Sequence, residues 1–202
     1  ELSRPDGDVS RWEKVYKRLV LLNKHYPFVA NYKCSEINFT RIFPKNNEIN
    51  EALHNVVKDV MINEGCLFIG GYAASLYGRY MPKNEKKQLE DVPDFDVLSM
   101  DPKAVAYILK EKLQNNGFKY IDVIKKQSVG DDIILTHYEI SVNGDIICYI
   151  YEPYGCYSYN EITLNNNKVK VATIETMLLF ILAFIYSDRP YYDHERLMCM
   201  AQ

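Results

Sequence analysis

The chain has 202 residues and a formal net charge of −3 at pH 7. Hydrophobic residues make up 48% and charged residues 25%, which is the balance of a globular protein and excludes a disordered one. The negative charge excludes a basic surface over the whole chain for nucleic acid, but it leaves a local basic patch or a metal-mediated hold on nucleotides open.

The five cysteines are odd in number, and none has the CxxC spacing that is typical of a zinc site. Several lie in apolar runs, where a free cysteine packs as a small hydrophobic residue. We therefore expect a reducing, intracellular compartment. The opening ELSRPDGD has no signal-peptide pattern, and the apolar run at 177–186 is too short to span a bilayer, so we expect a soluble protein.

Two amphipathic helices and an extended arm are predicted for the start of the chain. Apolar residues recur at helical spacing over residues 8–24 and again over 48–63. Between them, residues 26–47 carry prolines and no periodic pattern, so we interpret this stretch as a linker or extended arm. A buried strand, a small-faced helix, a polar loop and a second strand are then predicted at 66–69, 72–80, 81–91 and 95–98, respectively.

The rest of the chain is predicted to be a helix, then mostly β, then helical again. Pro102 suits a first helical turn, and Gly117 ends the helix that starts there. Strands are predicted at 118–125, 133–142, 145–151 and 169–172. Asn143-Gly144 is a strong hairpin signal between the middle two strands. An apolar helix at 174–186 and a final helix after 187–190 complete the order.

The most informative feature combines two glycines at one strand end with two aspartates at the next. On a strand, residues i and i+2 share a face, so the carboxylates of Asp94 and Asp96 are expected side by side. Two close negative charges need a cation, and a Mg²⁺ pair that also bridges nucleotide phosphates would supply it. Gly70 and Gly71 would offer backbone N–H groups to phosphate oxygens at a helix start. A solvated acidic pair beside a plain glycine turn is the alternative.

These two motifs resemble those of a known superfamily. Phe68-Ile-Gly-Gly71 with Pro93-Asp-Phe-Asp96 is similar to the paired signature of the DNA polymerase β-like nucleotidyltransferases. The long spacer between the motifs resembles the poly(A) polymerase catalytic subunit of large DNA viruses, of the giant virus, African swine fever virus and poxvirus type. The resemblance covers roughly residues 68–202, and the two motifs are its sharpest parts.

The resemblance implies an α+β nucleotidyltransferase fold, with a mixed or antiparallel sheet, helices on one face and flanking helices at both ends. Residues 1–47 would form a linker helix and extended arm, 48–172 the nucleotidyltransferase-like domain, and 173–202 the start of a C-terminal helical region that is truncated here. Asp94 and Asp96 would bind Mg²⁺ or Mn²⁺ as catalytic residues. Gly70 and Gly71 would hold the triphosphate of ATP, the substrate.

The family also has a third carboxylate on the second strand of a hairpin. Placing Tyr151-Glu-Pro153 on the corresponding strand end puts Cys148 at that position, and a thiol is a poor Mg²⁺ ligand. A two-residue turn pairs Val142 with Asp145, which predicts Glu139 directly across from Cys148 on the same face. Glu139 would then be the third catalytic carboxylate; a solvent-facing strand residue is the alternative.

The implied activity is template-independent addition of AMP from ATP to RNA 3′ ends, by a two-metal mechanism, within a poly(A) polymerase. The viral enzymes of this type resemble two tandem nucleotidyltransferase-like folds, the second degenerate, and the opening helix here resembles the helix that joins them. The alternative is therefore a catalytically silent module that serves RNA binding or subunit assembly. The expected partners are an RNA 3′ end, ATP and a homodimer mate or processivity subunit, in host cytoplasm or virion.

Overall fold

The computed structural model describes residues 8–27, 29, 33–37, 47–78, 93–130, 132–164, 166–187 and 193–202. The helices are α1 Trp12–His25, α2 Asn47–Asn63, α3 Gly70–Tyr77, α4 Pro102–Asn115, α5 Ile174–Ser187 and α6 His194–Ala201. The strands are β1 Leu67–Ile69, β2 Phe95–Leu98, β3 Ile121–Lys126, β4 His137–Val142, β5 Asp145–Tyr151, β6 Tyr159–Leu164 and β7 Asn167–Ala172. The loop predicted at 81–91 and most of the arm predicted at 26–47 lie outside the described residues.

The seven strands form one mixed sheet in the order β3-β4-β5-β2-β1-β7-β6. At its centre β1 pairs antiparallel with β2 and parallel with β7, and β2 pairs parallel with β5. The outer pairs β3-β4, β4-β5 and β6-β7 are antiparallel. The α+β fold class with a mixed sheet, predicted from the sequence, is confirmed.

The main hydrophobic core lies between one face of this sheet and the helices α2 and α4. Side chains from β1, β2 and β5 meet the apolar stripes of the two helices there, and they include Phe68, Phe95, Val97, Ile150, Leu53, Val57, Leu109 and Leu113. Full burial of one such side chain contributes roughly 1.5–3 kcal/mol. This layer therefore fixes the positions of β1 and β2, the strands that carry the glycine and aspartate motifs.

The helix α5 packs against the opposite face of the sheet. A second cluster joins Ile69, Leu98 and Tyr151 of the strands to Phe180 and Phe184 of α5. The resemblance implies helices on one face and flanking helices at both ends, and α5, which follows the last strand, packs on the other face. The apolar sequence of α5 gives the physical reason, because a helix with so few polar residues is stable only against another apolar surface.

Local sequence signals set the ends of several elements as expected. The Asp101 carboxylate accepts a hydrogen bond of 2.9 Å from the backbone N–H of Ala104 and caps α4, which has Pro102 in its first turn. The β4-β5 hairpin turns at Asn143 and Gly144, whose φ values of 55° and 89° fit the left-handed turn that Asn-Gly favours. The predicted hairpin is confirmed.

Other bounds differ from the prediction. The third strand begins at residue 121 rather than 118, and the fourth begins at 137 rather than 133. The strand β6 was not predicted, because its alternation is broken by Asn160 and Glu161 on an exposed edge. Its partner β7 begins at residue 167, two residues before the predicted strand at 169–172. In the described part of the chain, no helix is both long and apolar enough to cross a membrane.

The N-terminal helix α1 carries apolar side chains that the described residues leave exposed. None of its fourteen residues is buried, and Leu19, Val20, Leu21 and Leu22 are all more than two-fifths exposed. The helix was predicted from apolar spacing, and its existence is confirmed.

Two of the five cysteines form a disulfide. Cys34, in a short 3-10 turn at 34–36, is bonded to Cys199 of α6 across 165 residues of sequence. The expectation of free cysteines in the core is right for Cys66 and Cys148, which are buried thiols, but not for this pair. Disulfides are rare in reducing compartments, so the bond runs against the expectation of a uniformly reducing environment.

Candidate functional site

The glycine motif and the aspartate motif meet at the ends of β1 and β2. These strands are antiparallel, and their register places Ile69 opposite Asp96. Gly70, the next residue, has φ +64°, and a Cβ there would overlap the carboxylate of Asp96. Only glycine combines this left-handed backbone with such a close approach to another side chain. The start of α3 therefore lies directly against Asp96, as the order of the two motifs predicts.

Four residues from neighbouring strands form a row across the sheet. Glu139 of β4 pairs with Tyr149 of β5, Tyr149 pairs with Asp96 of β2, and Asp96 pairs with Ile69 of β1. Directly paired residues project to the same face, so these four side chains share one side of the sheet. Asp94, two residues before Asp96, is only 5% exposed. The row brings Asp96 and Glu139 to one surface with Tyr149 between them.

The predicted pairing of Glu139 with Cys148 is wrong by one residue. The turn pairing of Val142 with Asp145 is as predicted, but the register shifts between Ile140 and Ser141. Beyond the shift Ile140 pairs with Cys148, and Glu139 pairs with the next residue, Tyr149. A β-bulge of this kind places two residues of one strand opposite one residue of the other, and turn chemistry alone does not predict it.

Cys148 lies on the opposite, core face of the sheet. It pairs with Phe95, is 0% exposed and belongs to the main core. Burial raises the pKa of its thiol well above the usual value, and nearby Cys66, Asp96 and Asp94 raise it further. The thiol is therefore neutral and inert. The residue that lies beside Asp96 on the cavity face of β5 is Tyr149. Tyr149, and not Cys148, is therefore the residue of β5 that departs from the third carboxylate implied by the resemblance.

Glu139 is held by basic neighbours at the edge of the site. Its carboxylate lies 3.3 Å from the Nζ of Lys126 on β3 and 3.9 Å from the Nε2 of His137. Burial lowers the pKa of His137, although Leu135 and Glu139 favour its charged form, so the imidazole is mainly neutral at pH 7. Lys126 is therefore the charged partner. Glu139 is 16% exposed, which argues against the solvent-facing alternative.

The carboxylates face a cavity of about 410 Å³. Its polar wall contains Gly70, Gly71, Asp94, Asp96, His137 and Glu139, and its aromatic wall contains Tyr149, Tyr151, Phe180 and Phe184. Another wall is formed by α6, which contributes Arg196, Leu197, Met200 and Ala201, with Gln202 after it, and further apolar side chains of α5 line the cavity as well. All five residues predicted for the site from the sequence therefore line one cavity. Their functional roles remain predictions.

Several lining residues had been missed. His137 stands two positions before the predicted site residue Glu139, so i±2 spacing on a strand could have identified it, whereas no predicted site residue has that spacing from Tyr151. Their rings lie 4.9 Å apart, and Tyr149 stacks on Tyr151 at 6.2 Å. Arg196 carried no such signal, because its place depends on how α6 folds back over the sheet.

The residues present do not fit the three-carboxylate metal centre that the resemblance implies. Among the described residues, no three His, Cys, Asp or Glu side chains are grouped so that they could hold a metal ion. Glu139 is bound by a lysine, and the position next to Asp96 carries a phenol, which is a weak Mg²⁺ ligand compared with a carboxylate. Asp94 and Asp96 remain the only predicted metal ligands.

Comparisons with known proteins support the fold. No family model matches the chain, and no curated protein matches it. It is similar to the crystal structure of the Megavirus polyadenylate synthase, with a TM-score of 0.74 and 19% sequence identity. The similarity covers 99% of this chain and 41% of the Megavirus chain, so this chain spans about two-fifths of that protein. At this identity the comparison shows the fold, which is the one that the two motifs predict.

Proposed function

We propose that this chain is a nucleotidyltransferase-like module of a longer, viral-type poly(A) polymerase, and that the module itself is catalytically silent. The observation that carries the proposal is the row Glu139-Tyr149-Asp96, in which a tyrosine separates the two carboxylates. Two-metal transfer needs acidic oxygens on both sides of a metal pair about 3.5–4 Å apart. In this row the strand position beside Asp96 carries a phenol, which is a weaker Mg²⁺ ligand than a carboxylate.

Electrostatics support the same conclusion. A metal pair would have to displace the ammonium of Lys126 from Glu139 or bind beside that positive charge. Either course makes cation binding less favourable, because like charges close together repel in a partly buried site. The cavity also has largely apolar walls from α5 and α6, which give few partners to a triphosphate. The site therefore retains the glycine and aspartate motifs of a nucleotide site, but the charges around Glu139 do not suit two-metal catalysis.

The remaining functional role is RNA binding or subunit assembly within the longer protein. We propose the division 1–47, 48–172 and 173–202 as linker arm, nucleotidyltransferase-like domain and start of a helical region. In this division α1 joins the module to the rest of the protein, and its exposed leucines contact that part or a second subunit. The parent protein would add AMP from ATP to RNA 3′ ends with Mg²⁺ or Mn²⁺, in host cytoplasm or virion.

A primer-extension assay tests the silent module. The purified chain is incubated with an oligoadenylate primer, ATP and either Mg²⁺ or Mn²⁺, beside the variant Asp94→Asn/Asp96→Asn. We expect no extension by the wild type above the level of the double variant. Extension by the wild type that disappears in the double variant would show that the module is an enzyme.

A second candidate function, the live enzyme, is favoured by one observation. Asp94, Asp96 and Glu139 line the same cavity as Gly70 and Gly71. If this is an active site, Glu139→Gln abolishes extension while Cys148→Ala leaves it nearly unchanged, because the thiol faces the core. Equal activities of the two variants would remove Glu139 from the catalytic set.

A further inference from the structure

The helix α6 closes one side of the carboxylate cavity. Its Arg196, Leu197, Met200 and Ala201 face the same space as Asp94 and Asp96 on the sheet. Any ligand that approaches the aspartates from this side must pass α6. The position of α6 therefore decides whether a ligand can reach the aspartates from this side.

A helix cap, buried side chains and packing against α5 hold α6 in that position. The Asp193 carboxylate caps it by accepting a hydrogen bond of 3.0 Å from the N–H of Arg196, and Leu197 is buried. Among the described elements its main packing partner is α5. A covalent tether supplements these contacts, since Cys199 of α6 is bonded to Cys34.

We propose that the Cys34–Cys199 disulfide is a redox latch that holds α6 over the carboxylate cavity, and that its reduction releases α6 and opens the cavity. This proposal rests on the proposed function, which identifies the cavity as a former nucleotide site, and it adds how access to that cavity is controlled. Reduction by a dithiol or a pair of thiols breaks the S–S bond and transfers two electrons and two protons to give two cysteine thiols. The reductant leaves as its own disulfide.

The surroundings of the bond suit a latch. Cys34 is half-buried while Cys199 is buried, so a reductant reaches the bond from the side of Cys34. The bond joins the 3-10 turn at 34–36 to α6, and neither of these elements belongs to the sheet. Breaking it frees α6 from the arm without removing any strand pairing. Opening therefore requires only the loss of the local contacts of α6, in the manner of a local unfolding unit.

Hydrogen exchange measured by mass spectrometry tests the latch on the whole chain. All samples carry Cys156→Ser, which removes the exposed free thiol that could exchange with the disulfide. Oxidised protein is compared with protein reduced by a phosphine, and with the unreduced variant Cys34→Ser, which cannot form the bond. Peptide mapping without reductant first establishes that Cys34 and Cys199 are linked in the oxidised sample.

We expect the amides of α6 to exchange at least tenfold faster after reduction and in Cys34→Ser, while the amides of β5 keep their rate. Absence of the linked peptide in oxidised protein would overturn the proposal. Unchanged exchange of α6 after reduction would also overturn it, because the bond would then not hold the helix in place. An equal acceleration in β5 would do the same, because the bond would then stabilise the whole fold rather than α6. Primer extension is read separately: extension by the reduced chain contradicts the silent module and leaves the latch intact.

Discussion

The substitution Cys148→Asp tests which face of β5 belongs to the site. If Cys148 occupied a carboxylate position in the cavity, an aspartate there would be tolerated beside solvent or a metal ion. The structure instead places this side chain in the main core, 0% exposed and paired with Phe95. The variant therefore puts a carboxylate among apolar side chains, with Asp94 and Asp96 near enough to raise the pKa of the native thiol.

The magnitude follows from proton linkage. An unpaired buried carboxylate avoids ionisation by keeping its proton, whereas in the unfolded chain it ionises with a pKa of about 3.9. Each unit of difference between pH and that value is worth about 1.36 kcal/mol, so keeping the proton at pH 7 costs about 4 kcal/mol. The polar group itself adds about 1–3 kcal/mol if no hydrogen-bond partner is available.

The sign of the pH dependence is specific to this arrangement. The folded-state pKa of the introduced carboxyl is raised, so the unfolded state binds fewer protons as pH rises above about 4. The variant therefore loses stability, relative to wild type, progressively from pH 4 towards pH 7 and regains it on acidification. Cys148→Asn is the matched control, because it buries a polar group of the same size that does not titrate.

Urea denaturation followed by circular dichroism at several pH values between 4.5 and 7.5 measures these free energies of unfolding. A loss of less than about 1 kcal/mol for Cys148→Asp at pH 7, or a profile parallel to that of Cys148→Asn, would refute the assignment of Cys148 to the core face.

Three further predictions concern other features of the fold. Gly70 has φ +64°, and a Cβ there would overlap Asp96, so Gly70→Ala should lower the free energy of unfolding in urea by about 2–4 kcal/mol. Gly144 has φ +89° and open space around it, so Gly144→Ala should lower that free energy by only about 1 kcal/mol. Equal losses for the two variants would contradict the overlap. Burial, and then Lys58, lower the pKa of His54 to about 4. Below about pH 6.5 the unfolded chain therefore binds a proton that the folded chain does not bind, and the free energy of unfolding decreases as the pH falls. His54→Leu should reduce that decrease by roughly 1–2 kcal/mol, and an unchanged pH profile would exclude His54 as its cause. Lys126 is 46% exposed, and exposed ion pairs such as Lys126–Glu139 contribute about 0–1 kcal/mol, so Lys126→Met should change the melting temperature by only a few degrees. A larger drop would mean that the fold needs the positive charge of Lys126 beside Glu139.

Elements defined by local chemistry were predictable from the sequence. The helix α4 has a capping aspartate, a proline in its first turn and a glycine after its end, and the β4-β5 turn has Asn-Gly. Each signal acts within a few residues, so the sequence alone contains it. The central strands β1 and β2 were predictable for the same reason, because short apolar runs next to the glycine and aspartate motifs leave little choice.

Features that depend on distant contacts were not predictable. The helix α5 is apolar nearly all round, which predicts burial but not which face of the sheet it covers. The pairing of Cys34 with Cys199 joins residues 165 apart, and an odd set of five cysteines does not define it. Arg196 reaches the cavity only because α6 folds over the sheet. In each case tertiary packing decides between alternatives that the local sequence leaves equal.

The bulge in the β4-β5 hairpin links the error in register to the composition of the site. The alternation of β4 is unbroken, with Val142, Ile140 and Tyr138 in the core, so Glu139 projects to the cavity face. With regular pairing from Val142 and Asp145, Cys148 would lie opposite Glu139 on that face. Ile147, the extra residue of β5, moves the pairing by one and reverses the faces of the β5 residues that follow it. Cys148 therefore lies in the core, and Tyr149 takes the place on the cavity face between Glu139 and Asp96.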